Sequence, residues 1–370
     1  MTSNSLVDII NCDLVTRSQL LILHKLTTKI SYRSTAKAIP SYRSVQVHTL
    51  STDFRAATKI IDVPELPTAS AGHVVVKNHF VGINATDINI TAGGYGSRVL
   101  PFLCGLEAAG IVTEVGPDVE TFKVGDAVVY QKFGAFSEFT QVQASTVTKT
   151  PVLTPAVLPL TVCGVSASIA LEQVGQMKKG GETVLVTAAA GGTGQFVVQL
   201  AKLAGNHVIG TCSSDEKVEY LKSLGCDRVI NYTKEDVNTV LKAEYPKGVD
   251  LVFEAVGGDM FKAAVDNIAV HGRIIVFGYI SNYHEADKQL LVSQVNPTLL
   301  MKSASVRGFL LHNHEPHIAD HIARLLALIE KGKLTPGMDP TEYTGLEAIP
   351  KAIDRMYNKQ NVGKLVVKLA

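Results

Sequence analysis

The most regular pattern of apolar and polar positions in this chain is a strand, a glycine-rich turn and a helix between Glu182 and Ala204. Val184–Val186 is a continuous apolar run, as a parallel strand buried on both faces requires. Only small residues follow from Ala188 to Gly194. Apolar residues then recur at helical spacing: Phe196, Val197, Leu200, Ala201 and Ala204. Such a turn brings the backbone close to a pyrophosphate at a helix N-terminus, so the pattern predicts a dinucleotide site.

The pattern downstream supports this interpretation, because short apolar strands alternate with helical stretches. This alternation is typical of a doubly wound parallel α/β sheet, and a full dinucleotide fold has six strands. The six predicted strands are Val184–Val186, His207–Thr211, Arg228–Ile230, Asp250–Phe253, Arg273–Phe277 and Ser305–Leu310.

A second texture precedes the glycine turn. From about Tyr42 to Thr150 the chain shows short alternating runs separated by turn residues, which predicts a compact, mostly β domain. The predicted strands include His73–Phe80, Gly110–Val115 and Ala127–Tyr130. A helix over His317–Lys331 and a strand over Lys364–Leu369 follow the parallel sheet, and we expect this strand to return to the first domain.

The end of the second parallel strand indicates which dinucleotide is bound. Enzymes that bind NAD place an Asp or Glu about 20 residues after the glycine turn to bind the ribose 2′-hydroxyl. Here that position holds Ser213 and Ser214, with Lys217 nearby and Tyr232 after the third strand. Hydroxyls, a lysine and a phenol would bind a 2′-phosphate, which favours NADPH. The same residues also fit a capping box from Ser213 to Glu216, with Asp215 in the first helical turn.

Composition excludes several classes of function. The chain has 370 residues, 46% of them hydrophobic, and a net charge of +1, which argues against a nucleic-acid-binding surface. We find no apolar run approaching about 18 residues, so we expect no membrane span. The five cysteines have no framework or C-x-x-C spacing, which favours a reducing compartment and no structural zinc lobe.

The first 40 residues have the composition of a leader. Between Leu14 and Thr52 there are six Lys or Arg and no Asp or Glu. This is typical of a mitochondrial transit peptide, although Asp8 and Asp13 precede the basic stretch. An unstructured leader on a cytoplasmic protein is the alternative, and the ending Lys368-Leu369-Ala370 is not a peroxisomal signal.

Several segments resemble the quinone oxidoreductase (zeta-crystallin) branch of the medium-chain dehydrogenase/reductase superfamily, and within it the zinc-free prostaglandin reductases. The segments are Phe80–Asn89, Val184–Gln195, His207–Lys217, Leu221–Tyr232, Gly248–Gly258 and Lys302–Gly308. The resemblance implies a GroES-like catalytic domain at 41–165, a Rossmann domain at 166–308 and a segment at 309–370 that completes the catalytic domain.

The resemblance also locates the positions at which zinc-dependent members of this superfamily hold their metal. Here those positions carry Asn84, Leu106 and Cys163. A catalytic zinc site needs three protein ligands, and one thiol with an amide and a leucine cannot supply them. We therefore predict no metal, with Cys163 as a small core residue.

The same resemblance implies a set of cofactor and catalytic residues. The NADPH site would comprise Gly191, Gly192, Thr193, Gly194, Ser213, Lys217, Tyr232, Ala255, Val256, Phe277, Tyr283, Phe309, Leu310, Leu311 and Asn361. Tyr283 and Tyr95 are the candidate proton donors, each with a surface or packing role as the alternative. Asn84 is predicted near the nicotinamide, with a structural turn as the alternative.

Together these observations predict an NADPH-dependent, zinc-independent reductase of the carbon–carbon double bond of α,β-unsaturated ketones such as 15-oxo-prostaglandins. Without a Lewis acid, hydride delivery to an already electrophilic carbon is the natural chemistry. Quinone reduction and enoyl-thioester reduction are the alternatives, as is a crystallin-like protein that binds NADPH without turnover. We expect a small-molecule lipid enone as substrate and a homodimer as the assembly.

Overall fold

Two hydrophobic cores organise the part of the chain that the computed structural model describes, which is residues 41–94, 99–282 and 292–369. One core lies among antiparallel strands and contains Val45, Val76 and Phe136. The other lies against a parallel sheet and contains Val184, Phe196 and Phe253. The leader and Cys12 lie outside the described residues.

The first core belongs to the predicted β domain. Its strands are β1 (Tyr42–Val47), β2 (Thr58–Val63), β3 (His73–Gly82), β4 (Phe102–Leu103), β5 (Glu107–Val115), β6 (Ala127–Gln131), β7 (Phe139–Gln143) and β8 (Val147–Lys149). Two short helices accompany them, α1 (Phe54–Ala57) and α2 (Thr86–Thr91). The strands pair in the orders β2-β1-β4 and β3-β5-β6-β8, with β7 also against β3. The three strands predicted here are confirmed.

A long apolar helix, α3 (Pro155–Val174), links the two cores. It is the one helix among the described residues that is long and apolar enough to cross a membrane, and 67% of its most apolar window is buried inside the protein. Ala167, Ala170 and Leu171 pack into the core of the parallel sheet. This burial identifies α3 as a core helix.

The second core lies against a six-stranded parallel sheet. Its strands are β9 (Thr183–Val186), β10 (His207–Cys212), β11 (Arg228–Asn231), β12 (Val249–Glu254), β13 (Ile268–Val276) and β14 (Ser305–Gly308). They lie in the order β11-β10-β9-β12-β13-β14, with β9 and β12 adjacent at the centre. All six predicted strands and the doubly wound fold are confirmed. The apolar run Val184–Val186 is fully buried, which is why it reads as continuous in the sequence.

Helices cover both faces of this sheet. They are α4 (Gly194–Leu203), α5 (Asp215–Ser223), α6 (Val237–Glu244), α7 (Gly258–Asp266) and α8 (Val292–Lys302). The chain thus crosses from one parallel strand to the next through a helix, as a parallel sheet requires.

The last segment divides between the two cores. Helix α9 (Ile318–Glu330) packs Leu325 into the core of the parallel sheet. Helix α10 (Ile349–Tyr357) packs Ile353 into the core of the β domain, and β15 (Val366–Lys368) pairs antiparallel with β3. The predicted helix and the return of the terminal strand to the first domain are confirmed. The predicted domain boundaries at residues 165 and 308 stay predictions.

Candidate cofactor site and active site

The glycine turn leads from β9 directly into α4. Ala188 has a φ of +47°, and α4 begins at Gly194 with Thr193 as its N-cap. A Cβ on Gly194 would lie 2.4 Å from the carbonyl oxygen of Ala188, so the turn closes this tightly only with glycine there. The Thr193 side chain makes no capping hydrogen bond. The Gln195 N–H donates to the carbonyl of Gly191 at 3.2 Å and the Phe196 N–H to that of Thr193 at 3.0 Å, so backbone hydrogen bonds close the turn.

The C-terminal segment packs against this turn. The Gly363 N–H donates to the carbonyl of Ala190 at 2.8 Å, and Gly191 and Gly363 form a parallel bridge. Asn361 donates from Nδ2 to the carbonyl of Gly363 at 3.0 Å, which holds the approach of this segment to the turn. The structure thus brings the predicted residue Asn361 to the glycine turn, although 167 residues separate it from Gly194 (361 − 194).

A cationic cluster lies at the end of β10, where the 2′-phosphate was predicted. The Lys217 ammonium donates to Ser213 Oγ at 3.3 Å and to the carbonyl of Lys359 at 2.7 Å. Burial lowers the pKa of Lys217, because a buried ammonium loses hydration. Tyr232 is half-buried, and its ring lies 5.6 Å from the Lys359 ammonium. Ser213, Lys217 and Tyr232 are therefore brought together.

Lys359 is the residue of this cluster that sequence reasoning missed. It contributes a carbonyl to Ser213 and Lys217 and an ammonium to Tyr232. Its φ of +55° turns the chain at this point. A lysine 142 positions after Lys217 (359 − 217) carries no local signal, because only the fold brings the two together.

The capping box predicted from Ser213 is wrong by one residue. Ser214 is the N-cap of α5, and its side chain accepts from the Lys217 N–H. This leaves the Ser213 hydroxyl free to face Lys217 and Lys359. Asp215 is the first residue of α5, as predicted, and its carboxylate pairs with Lys234 at 2.6 Å.

The ends of β12, β13 and β14 form the next part of the predicted cradle. The Ala255 N–H donates to Thr187 Oγ1 at 2.8 Å, and the Val256 N–H donates to the Glu254 carboxylate at 2.8 Å. Phe277 stacks on Phe309 with ring centroids 5.5 Å apart. The two residues after Phe309 are the half-exposed Leu310 and Leu311, at which a short helix begins. Polar backbone thus lies beside an apolar wall at the carboxyl ends of the strands.

A buried cluster contains Asn84 and Cys163, two of the three positions at which the resemblance implies zinc ligands in metal-dependent members. The Lys364 ammonium lies 2.5 Å from Glu107 Oε1, 2.7 Å from Asn84 Oδ1 and 3.5 Å from Cys163 Sγ. The predicted ligand positions Asn84 and Cys163 therefore converge, but on a lysine. A zinc ion does not fit this group, because its place is taken by a positive charge and its ligands are reduced to one thiol.

The carboxamide of Asn84 is fully engaged in this cluster. Its Oδ1 accepts from Lys364, and its Nδ2 donates to Glu107 at 3.0 Å and to the carbonyl of Gly82 at 3.3 Å. Burial raises the pKa of Cys163, so its thiol stays neutral. Asn84 thus contributes to the scaffold behind the site, and its predicted contact with the nicotinamide stays a prediction.

The two candidate proton donors, Tyr95 and Tyr283, lie outside the described residues. Their predicted roles stay predictions. Within residues 41–94, 99–282 and 292–369, no three His, Cys, Asp or Glu side chains converge as a metal site requires.

Comparison with known proteins identifies two families along the chain. Residues 70–217 match the alcohol dehydrogenase GroES-like domain, and residues 192–330 match the zinc-binding dehydrogenase family. Prostaglandin reductase-3 of Bos taurus is 45% identical over 343 residues, which cover 90% of this chain and 91% of that protein. A probable quinone oxidoreductase of Leishmania amazonensis is 42% identical over 335 residues, which cover 89% and 98%.

A solved structure agrees with this assignment. The crystal structure of Escherichia coli quinone oxidoreductase complexed with NADPH matches with a TM-score of 0.78 and 25% identity, over 88% of this chain and 99% of that one. The two described cores correspond to the GroES-like and Rossmann-type halves of that fold. The chain belongs to the medium-chain dehydrogenase/reductase superfamily, in the branch of the quinone oxidoreductases and prostaglandin reductase-3.

Proposed function

We propose that this chain is an NADPH-dependent, zinc-independent oxidoreductase that reduces the carbon–carbon double bond of α,β-unsaturated ketones. The observation that carries the proposal is the Lys364 ammonium between Asn84, Glu107 and Cys163. Asn84 and Cys163 are two of the three positions at which the resemblance implies zinc ligands. Alcohol oxidation relies on a Lewis acid to stabilise the alkoxide, and this donor set does not bind one.

The cluster at the end of β10 supports NADPH as the cofactor. Ser213, Lys217 and Lys359 supply a hydroxyl and two ammonium groups, with Tyr232 beside them. A 2′-phosphate would replace the Lys359 carbonyl as the acceptor of Lys217 and would gain charge-assisted hydrogen bonds. An adenosine ribose without this phosphate gains nothing there.

The residues of this chain then have separate tasks in the reaction. When bound, NADPH supplies a hydride to an electrophilic carbon. The stacked rings of Phe277 and Phe309 would give the site an apolar wall that limits the access of water. The enolate that develops on an enone needs a hydrogen-bond donor and a proton, for which we propose Tyr283 or Tyr95. If Tyr283→Phe turned over at the wild-type rate, Tyr283 would have no part in the mechanism.

Lipid enones of the 15-oxo-prostaglandin type are the substrates that we propose, in lipid metabolism. The 45% identity with prostaglandin reductase-3 over nine-tenths of the chain supports this choice. Quinone reduction is the second candidate, because the Leishmania relative is named a probable quinone oxidoreductase. Enoyl-thioester reduction and NADPH binding without turnover complete the alternatives.

Substrate profiling separates these four functions. Purified protein is mixed with NADPH and with matched series of enones, quinones and enoyl thioesters, and the loss of NADPH absorbance is followed. Mass spectrometry then shows whether two hydrogens have been added across the double bond while the ketone is retained. Turnover of quinones alone or thioesters alone would replace our proposal, and tight NADPH binding without turnover would indicate an idle binding protein.

We also propose that the chain forms a homodimer through the free edge of its parallel sheet. In the described part of that sheet β14 pairs on one side with β13, and Val306 on β14 is 38% exposed. Leu300 and Met301, at the end of the preceding helix, are each 80% exposed. An exposed strand edge with neighbouring apolar side chains is a surface that a second copy would cover.

The basic leader supports a proposal of mitochondrial import. Only the basic composition of the leader supports import, since residues 1–40 lie outside the described residues. Deletion of residues 1–38 should leave reductase activity in vitro unchanged and abolish import in cells. A truncated chain that still enters mitochondria would contradict this proposal.

A further inference from the structure

The Lys364 ammonium is buried, and the binding of a cofactor does not explain why a charged group lies there. Lys364 is 1% exposed and Glu107 is 0% exposed. Its three N–H bonds face three acceptors, on Glu107, Asn84 and Cys163. An ammonium has three donors, so none remains for a substrate or a cofactor. Lys364 can therefore act on the reaction only through the groups that it holds.

Those groups come from separate parts of the fold. Asn84 follows β3, and Glu107 begins β5. The second oxygen of Glu107 accepts from the Thr161 hydroxyl and, at 3.3 Å, from the Val162 N–H, both on α3. One carboxylate and one ammonium thus join the catalytic domain, the linking helix and the C-terminal segment.

The cluster also touches the back of the glycine turn. A Cβ on Gly192 would meet Cys163 Sγ at 3.0 Å and Lys364 Cδ at 3.3 Å. Lys364 follows Gly363, which is bonded to Ala190 in the same turn. A shift of Lys364 would therefore move the turn relative to Asn84 and Glu107, because closely packed protein interiors transmit small displacements.

Glu107 and its neighbours keep Lys364 charged. Burial by itself lowers the pKa of Lys364, but the Glu107 carboxylate acts against it, and the pKa lies above its ordinary value. Replacement of one partner would leave the other charge buried and alone, whereas replacement of both by apolar residues of similar volume is often tolerated. This difference allows a positioning role to be separated from a purely structural one.

We propose that Lys364 is a positioning residue that takes the place of the metal: its ammonium is the positive centre that holds Asn84, Glu107 and Cys163 at a fixed distance from the glycine turn. This inference rests on the proposed function for its effect on turnover. In this role Lys364 aligns the glycine turn with the residues of the catalytic domain. Such alignment matters because misplacement by about 1 Å can cost a hundredfold in rate.

Two variants test this proposal, with Lys368→Met on the same terminal segment as the matched control. Lys364→Met should lower Tm by roughly 5–10 °C because it leaves Glu107 unpaired. The double variant Glu107→Met/Lys364→Met should recover most of that Tm, while kcat stays about tenfold or more below wild type. Lys368→Met, at an exposed position, should match the wild type in both.

Recovery of both Tm and kcat in the double variant would overturn the proposal, because the pair would then be only a structural contact. Unchanged kcat in Lys364→Met would overturn it as well. Hydrogen exchange of a peptide spanning residues 187–196 gives a readout that needs no turnover. Faster exchange of this turn in the double variant than in the wild type supports positioning, and equal exchange contradicts it. Absence of wild-type turnover would contradict the proposed function alone.

Discussion

At the scale of single residues, the cofactor preference depends on which groups surround the end of β10. Ser213, Lys217 and Lys359 meet there through hydrogen bonds of 2.7–3.3 Å. The sequence pointed to the first two, because no acidic residue occupies the place of the usual ribose ligand. Lys359 could not be predicted, since its approach depends on how the C-terminal segment packs.

Lys217→Ala should weaken NADPH binding by about tenfold or more and leave NADH binding nearly unchanged. The lost charge-assisted hydrogen bond to the 2′-phosphate corresponds to about 1.5 kcal/mol, and NADH lacks this phosphate. Fluorescence titration of both nucleotides measures the effect. Lys234→Ala is the matched control, because Lys234 is exposed and pairs with Asp215 on the same helix. Equal loss for both nucleotides would contradict the phosphate site.

The buried residue Asp87 should make the stability of the folded state depend on pH. Its side chain is 0% exposed, Oδ2 accepts from the Asn84 N–H at 2.8 Å, and Oδ1 has no hydrogen-bond partner among the described residues. Burial raises the pKa of Asp87 to about 7. The folded state therefore holds a proton on Asp87 that the unfolded chain releases at lower pH.

We expect the Tm to fall as the pH rises from about 5 to about 8, and Asp87→Asn to reduce this fall. The folded pKa lies above the unfolded one, so the contribution is fully present below the unfolded pKa and is lost as pH rises through the folded pKa. The Asn side chain stays neutral throughout and keeps an oxygen for the Asn84 N–H. Differential scanning fluorimetry across this range measures both proteins. Parallel curves would show that Asp87 does not titrate as its burial indicates.

At the scale of elements, the strand–turn–helix unit from β9 to α4 combines local and long-range requirements. The apolar run and the glycines are local, and both were predicted correctly. The contact of Gly363 with Ala190 is long-range and was not. The one-residue error at the capping box has the same origin, because two adjacent serines offer equivalent local caps and the position of Lys359 distinguishes them.

Gly194→Ala should reduce NADPH affinity by about tenfold and lower Tm by several degrees. The added methyl group would lie 2.4 Å from the Ala188 carbonyl, and relief of such an overlap in a packed turn costs about 1–3 kcal/mol. Isothermal titration and thermal unfolding measure the two effects. An unchanged nucleotide affinity would show that this turn does not approach the pyrophosphate.

At the scale of the whole molecule, we expect the wild-type chain to be a dimer and Val306→Asp to be a monomer. Dimerisation would bury the new carboxylate on the edge strand without a partner, and this desolvation disfavours the pairing of the two copies. Light scattering coupled to size-exclusion chromatography measures the mass. Thr233→Asp, at an exposed polar position after β11 on the opposite edge of the sheet, is the matched control. A dimer that persists in Val306→Asp would place the interface elsewhere.

The sequence by itself determined the six parallel strands of this protein and the order in which they follow one another along the chain. Apolar runs buried on both faces, alternating runs and glycine turns are local consequences of burial and backbone geometry, so all six parallel strands were predicted. The sequence also indicated that the acidic ribose ligand and the zinc ligands are absent, because each has a fixed place in a local motif.

Only the tertiary structure decided what fills those places. The Lys364 ammonium lies 2.7 Å from Asn84 across 280 positions of the chain (364 − 84), and Lys359 reaches Lys217 across 142. Such contacts form because the terminal strand β15 returns to pair with β3 and carries its preceding residues past the glycine turn. The sequence pattern indicates which residues are buried. The partner of a buried charge depends on the packing of distant segments, which the pattern does not contain.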